Sequence, residues 1–255
     1  MVAPSERLAV SDGQVDLREF LPPEELEYLA GSLDARIYIT ISKAHLLLRV
    51  RVERKEKEQL EPLISFFPSD IKRHQPWMLE ANGEDARFLL ETFYPHVRLQ
   101  KPIFGLAISY LDWQKSIQYG KASQQTRMKK RYFALMQKMK EAIYDYDIGP
   151  DPLSPIYLAG YIDQHRGSID TTHDSGSLLV QMRAVNKSFV QHLYKEHGGH
   201  TFPKGDPKPS IWRAVGYAAE FFLNEVSPFA RDRSEEFRDL VYVPRAPGIP
   251  RKRRE

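Results

Sequence analysis

Two carboxylates and one run of cations are the residues of this sequence best suited to chemistry. Asp34 and Asp163 end two copies of the pattern Tyr-Leu-Ala-Gly-x-(Leu/Ile)-Asp, which begin at Tyr28 and Tyr157. Two acids in matching places can be pictured as oxygen ligands for a hard divalent ion. The cations lie in residues 113–140: Lys115, Lys121, Arg127, Lys129, Lys130, Arg131, Lys138 and Lys140, with no acid among them. On a chain of formal net charge +3, such a concentration is suited to neutralising phosphates, although a solvated helix face would give the same pattern. His192, His197 and His200 carry less weight, because no acid cluster accompanies them beside Gly198-Gly199. There is no phosphate-cradling glycine loop and no nucleophilic serine motif.

The elements that must position these residues come in two sets. The motif copies lie at an offset of 129. Residues 45–52 align with 177–184 at 132, pairing Arg51 with Arg183, and residues 86–95 align with 219–228 at 133. Three matches in one order read as an internal duplication. In the first unit Pro22 and Pro23 open a helix over residues 24–34, with Glu24 and Glu25 at the positive end of its dipole. Ile37, Ile39 and Ile41 alternate with polar residues in one strand, and Leu46, Leu48, Val50 and Val52 do so in a second. Leu60, Leu63, Ile64 and Phe67 keep helical spacing, residues 77–81 read as a third strand, and residues 84–94 read as a helix ended by Pro95. The second unit repeats this with helices at 156–163, 188–197 and 218–226 and strands at 168–172 and 178–185. Between them, Met128, Tyr132, Leu135, Met139 and Ile143 keep a helical period.

Ala30-Gly31 and Ala159-Gly160 stand in the middle of otherwise apolar helices, where each glycine costs about 1 kcal/mol of helix propensity. Something must approach closely there, and the simplest partner is the other copy of the same helix. With no cysteine, disulfides and thiolate zinc sites are excluded. No apolar run approaches the roughly 20 residues of a membrane span, so we expect a soluble chain with no membrane partner.

The duplicated Leu-Ala-Gly-x-(Leu/Ile)-Asp helix, followed each time by a hairpin, a helix, a tryptophan and a Phe-Leu-rich helix ending in proline, resembles the LAGLIDADG homing endonucleases. That family implies an α/β (α+β) fold of duplicated αββαββα halves with pseudo-twofold symmetry, in which saddle-shaped antiparallel sheets lie on nucleic acid. It places residues 23–111 in the first half, 112–154 in a basic helical linker and 155–243 in the second half. Residues 1–22 read as a flexible lead-in and 244–255 as a disordered basic tail.

The resemblance also says where catalysis would sit. In active members the acid two residues beyond the first motif aspartate binds metal, and here that position holds Arg36 in the first half and His165, or Arg166 with a one-residue insertion, in the second. A guanidinium cannot ligate Mg²⁺, so no catalytic residue, no metal and no cofactor are expected, Mg²⁺ entering only if the chain is an active endonuclease. Asp34 and Asp163 are then structural at the helix ends. Arg98, Lys101, Arg231 and Arg233 follow the helix-ending prolines, where the family carries basic residues. Together with Arg49, Arg51, Gln181 and Arg183 on the strands and Lys129, Lys130 and Arg131 in the linker, they form the expected nucleic-acid contacts. The reading is a monomeric, internally pseudo-dimeric, non-cleaving nucleic-acid binder. RNA is favoured over DNA, in intron splicing or in an organellar (mitochondrial or chloroplast) RNA-protein assembly such as a ribosome, with other proteins of that assembly as partners. A site-specific homing DNA endonuclease is the alternative.

Overall fold

The computed structural model describes residues 21–42, 47–64, 71–72, 77–116, 122–164, 168–172, 177–184, 186–202 and 210–231. The expected lead-in up to Phe20, the basic tail, His165, Arg166 and Arg233 lie outside them.

Helix α1 (Pro23–Arg36) begins at a Pro22 N-cap and runs two residues past the expected end. It feeds directly into β1 (Ile37–Ile41), which pairs antiparallel with β2 (Leu48–Arg54) from Ile37 opposite Val52 to Ile41 opposite Leu48. A single turn, α2 (Glu61–Ile64), and the short β3 (Ile71–Lys72) lead to β4 (Trp77–Ala81) and α3 (Gly83–Phe93). The sheet order is β1-β2-β4-β3. The second half repeats it: α6 (Pro155–Gln164), β5 (Ser168–Thr171), β6 (Leu178–Ala184), α7 (Lys187–His197), β7 (His200–Phe202), β8 (Ser210–Val215) and α8 (Tyr217–Val226), with sheet order β5-β6-β8-β7. One face of each sheet is apolar, as period-2 strands require. Ile39, Val50, Val52 and Leu79 are buried in the first half, and Val180, Met182, Trp212 and Ala214 in the second. The helices cover these faces, Leu89, Leu90 and Phe93 from α3 matching Phe222, Leu223 and Val226 from α8.

The halves superpose in a register two residues from the one the sequence implies. The first hairpin closes with Ser42 N–H donating to the Leu47 carbonyl and the second with Thr172 N–H donating to Ser177, each at 2.8 Å. Leu48 therefore matches Leu178, Arg51 matches Gln181, and Glu53 matches Arg183. The runs of leucine and arginine allowed a slip by two, and an even slip leaves every side chain on its own face.

The stretch between the halves also differs from its expected form. Helix α4 (Lys101–Ser116) starts inside the first half and continues past residue 111. It buries Ile103, Phe104, Ala107, Tyr110 and Leu111 and is tied to α3 by Arg87, which donates to Asp112 at 2.7 Å and to Glu91 at 2.8 Å. Helix α5 (Ala122–Ala142) packs back on α4 through Tyr132, whose ring meets Tyr110 edge-on at 5.2 Å. Met136 is fully buried, while Leu135, expected on the same face, is exposed. Among the described residues, no helix is long and apolar enough to cross a membrane.

Candidate functional site

The two motif helices meet backbone to backbone. A Cβ built on Gly31 would overlap the carbonyl oxygen of Tyr157, and one on Gly160 would overlap that of Tyr28. Ala30 and Ala159, next to them, are fully buried. Each glycine thus accepts the helix penalty in exchange for contact with the other half.

One helical turn beyond the crossing, each motif aspartate holds the base of its helix to two other segments. Asp34 accepts hydrogen bonds from the backbone N–H groups of Arg98 (2.5 Å), Leu99 (3.0 Å) and Gln100 (2.8 Å), and from the Tyr157 hydroxyl across the pseudo-twofold axis (2.7 Å). The three amides lie in the segment just before α4, outside the hydrogen-bond ladder of that helix. Asp163 accepts from the Arg231 N–H (2.8 Å) and from the Tyr28 hydroxyl (2.6 Å). Burial holds the Asp34 carboxyl above its usual range, and these hydrogen bonds offset only part of that rise. The Tyr157 hydroxyl is pushed well up by burial and by the neighbouring Asp34 charge. It is the donor in this pair, not a base.

The base of α1 is positively charged. Arg36 is its last residue and makes no side-chain hydrogen bond or ion pair with another described residue. Beside it Arg54, 1% exposed, donates to the Ser32 hydroxyl at 2.6 Å, the Ser32 carbonyl at 3.3 Å and the Arg36 carbonyl at 3.4 Å. A cation is favourable at a helix C-terminus, and this one occupies the oxygen atoms that face it. Arg54 ends β2 on the apolar side of its alternation, the one signal in the sequence that could have found it. In the second half that place is taken by Ala184. A cavity of about 280 Å³ next to α1 is lined by Asp34, Tyr38, Gln100, Lys140, Tyr161 and Asn186. Its one acid is Asp34, whose oxygens are engaged. No group of three or more His, Cys, Asp or Glu among the described residues is arranged to hold a metal ion. The residues at the base of α1 therefore do not fit a divalent ion.

The outer faces of the two sheets differ in charge. In the first, register places Tyr38 beside Arg51 and Arg51 beside Glu80, and the Arg51 Nε donates to Glu80 at 2.7 Å. In the second, the matching row is Ser168, Gln181, Arg213 and His200, with Arg213 donating to the Gln181 side-chain oxygen at 2.9 Å. An internal ion pair in one half is a charge–amide hydrogen bond in the other.

No protein-family model matches the sequence, and no curated relative does. Solved structures do match. The complex of I-GzeII, a LAGLIDADG homing endonuclease, with its DNA target aligns over 84% of this chain and 88% of its own at TM-score 0.63 and 17% identity. The meganuclease I-AabMI bound to uncleaved DNA aligns over 86% and 89% at TM-score 0.63 and 15% identity. I-SmaMI bound to an uncleaved DNA target with calcium ions present aligns over 84% and 88% at TM-score 0.60 and 13% identity. The chain has the LAGLIDADG homing-endonuclease fold.

On this LAGLIDADG scaffold the basic residues singled out from the sequence divide into two groups. Arg231 serves the fold: its guanidinium donates twice to Glu25, at 2.9 and 2.5 Å, and lies 3.9 Å above the Tyr28 ring centre. Arg98 gives its amide to Asp34 and faces Asp151 at 3.6 Å, and Lys101 lies over the Tyr94 ring at 5.5 Å. Arg51 is committed to Glu80. Arg49, Arg183, Lys129, Lys130 and Arg131 make no hydrogen bond or ion pair with another described residue and stand on the outer sheet faces or on α5. Arg213, Glu80 and Tyr38 belong to the same surface and were missed, because nothing local in the sequence shows which strand pairs with which.

Proposed function

We propose that this protein binds nucleic acid through the outer faces of its two sheets and the basic side of α5, and does not cut it. The observation that carries the second part is the base of α1, where Arg36 and the buried Arg54 stand and where the acceptors are already used. Metal-assisted attack on a phosphodiester needs an ion that neutralises charge and activates water. Arginines in its place bind phosphate but do not generate hydroxide. Binding is supported by the fold, whose solved examples above are DNA complexes, and by the free cations. On α5, Arg127, Lys130, Arg131 and Lys138 recur at helical spacing on the solvent side. The ligand we favour is structured RNA, with a role in intron splicing or in an organellar RNA-protein assembly.

Each phosphate contact contributes roughly 0.7 to 0.9 to the slope of log affinity against log salt. Reversing Lys129, Lys130 and Arg131 to glutamate is expected to weaken binding and to flatten that slope by about 2 units, measured by fluorescence anisotropy on labelled RNA stem-loops and on DNA duplexes of equal phosphate count. An unchanged slope on both would leave α5 as a solvated helix and remove it from the interface.

A further inference from the structure

We propose that the outer face of the second sheet holds a stacking site for one unpaired nucleobase, built on Phe202 and Arg213. It rests on the nucleic-acid-binding reading and names the part of the ligand that this half would recognise. Phe202 ends the edge strand β7 and is 42% exposed, an unusual place for a phenyl ring. Register puts it on the same face as Ile211 and next to the His200–Arg213 pair. The Arg213 guanidinium lies over one face of the ring at 5.1 Å from its centre. It is held there by the oxygen of Gln181, which leaves the Gln181 NH₂ as a donor. The Arg213 Nε is buried without a hydrogen-bond partner.

The chemistry of these groups fits a base that has left its helix. In a duplex both faces of a base are covered by its neighbours and only the edges are open, so an exposed ring has nothing to stack on. An unpaired base in a loop or bulge offers its face to aromatic and guanidinium planes and its edge to an amide. The first half cannot do the same. At the position that matches Arg213 it carries an acid, the nearly buried Glu80, which pairs with Arg51, and the register position of Phe202 is held by Lys72. The duplicated scaffold has thereby become two unlike surfaces, and among the described residues of the two sheets the second sets a guanidinium with no carboxylate partner over an aromatic ring.

The test compares two probes with the full chain: an unstructured CAA-repeat RNA of about 20 nucleotides and the same strand annealed to its complement. Phe202→Ala is expected to weaken single-strand binding about tenfold and to leave duplex binding unchanged. Phe202→Trp is expected to keep single-strand affinity, and its emission should be quenched by the single strand and not by the duplex. Equal weakening of both probes by Phe202→Ala, or no change in either, would overturn the stacking site while leaving the binding reading intact. Failure of the unaltered protein to bind either probe would remove the binding reading and the stacking site together.

Discussion

Gly31→Ala is expected to destabilise the protein by at least about 3 kcal/mol, and Gly160→Ala by a similar amount. The added methyl meets backbone, not a side chain that could swing away: Tyr157 at Gly31 and Tyr28 at Gly160. Relief requires the helices to separate, which would break the Tyr157–Asp34 and Tyr28–Asp163 hydrogen bonds at the same time. A fall in Tm of about 10 °C follows for a chain of this size. Thermal unfolding of the two variants checks it, and a shift no larger than that of a surface Gly→Ala change would show that the helices do not cross as described.

Asp34→Ala is the second large effect. It strands the three amides just before α4, of which the Leu99 amide is buried and the other two part-buried, and the buried Tyr157 hydroxyl, and each unsatisfied buried donor costs about 1 to 3 kcal/mol. Water entering the space and the relief of burying a carboxyl offset part of this, so a net loss of about 3 to 5 kcal/mol is expected. Asp163→Ala is expected to cost less, since Asp163 is only half-buried. Urea denaturation of both variants tests the order. Equal and small losses would return the motif aspartates to consideration as functional acids.

Much of this arrangement is legible in the sequence because it rests on local constraints. A glycine in the middle of an apolar helix is costly enough to advertise a close neighbour, and alternation in residues 37–41 and 48–52 assigns each side chain to a face without knowledge of the partner strand. The parts that were not legible depend on contacts distant in sequence. Arg51 and Arg231 read as free cations until Glu80 and Glu25 are seen beside them. Helix α4 is hidden in the sequence because Lys101 lies just past a helix ended by Pro95, with no capping signal to mark a new start. Arg54 is an arginine whose position in the alternation of β2 points it inward, yet its partners, Ser32 and the Arg36 carbonyl, lie far from it in sequence. The two-residue slip between the hairpins is invisible in the sequence because the slipped pairing still matches leucine with leucine.

The absence of cleavage is tested most directly by sequencing the ends produced when the purified protein is incubated with a randomised DNA duplex library in Mg²⁺ or Mn²⁺. The charge at the base of α1 predicts no ends beyond those of the protein-free control with either ion. Double-strand breaks at a defined sequence, abolished by EDTA, would contradict it and would mean that a metal is held between the halves by groups other than those seen at Arg36 and Arg54.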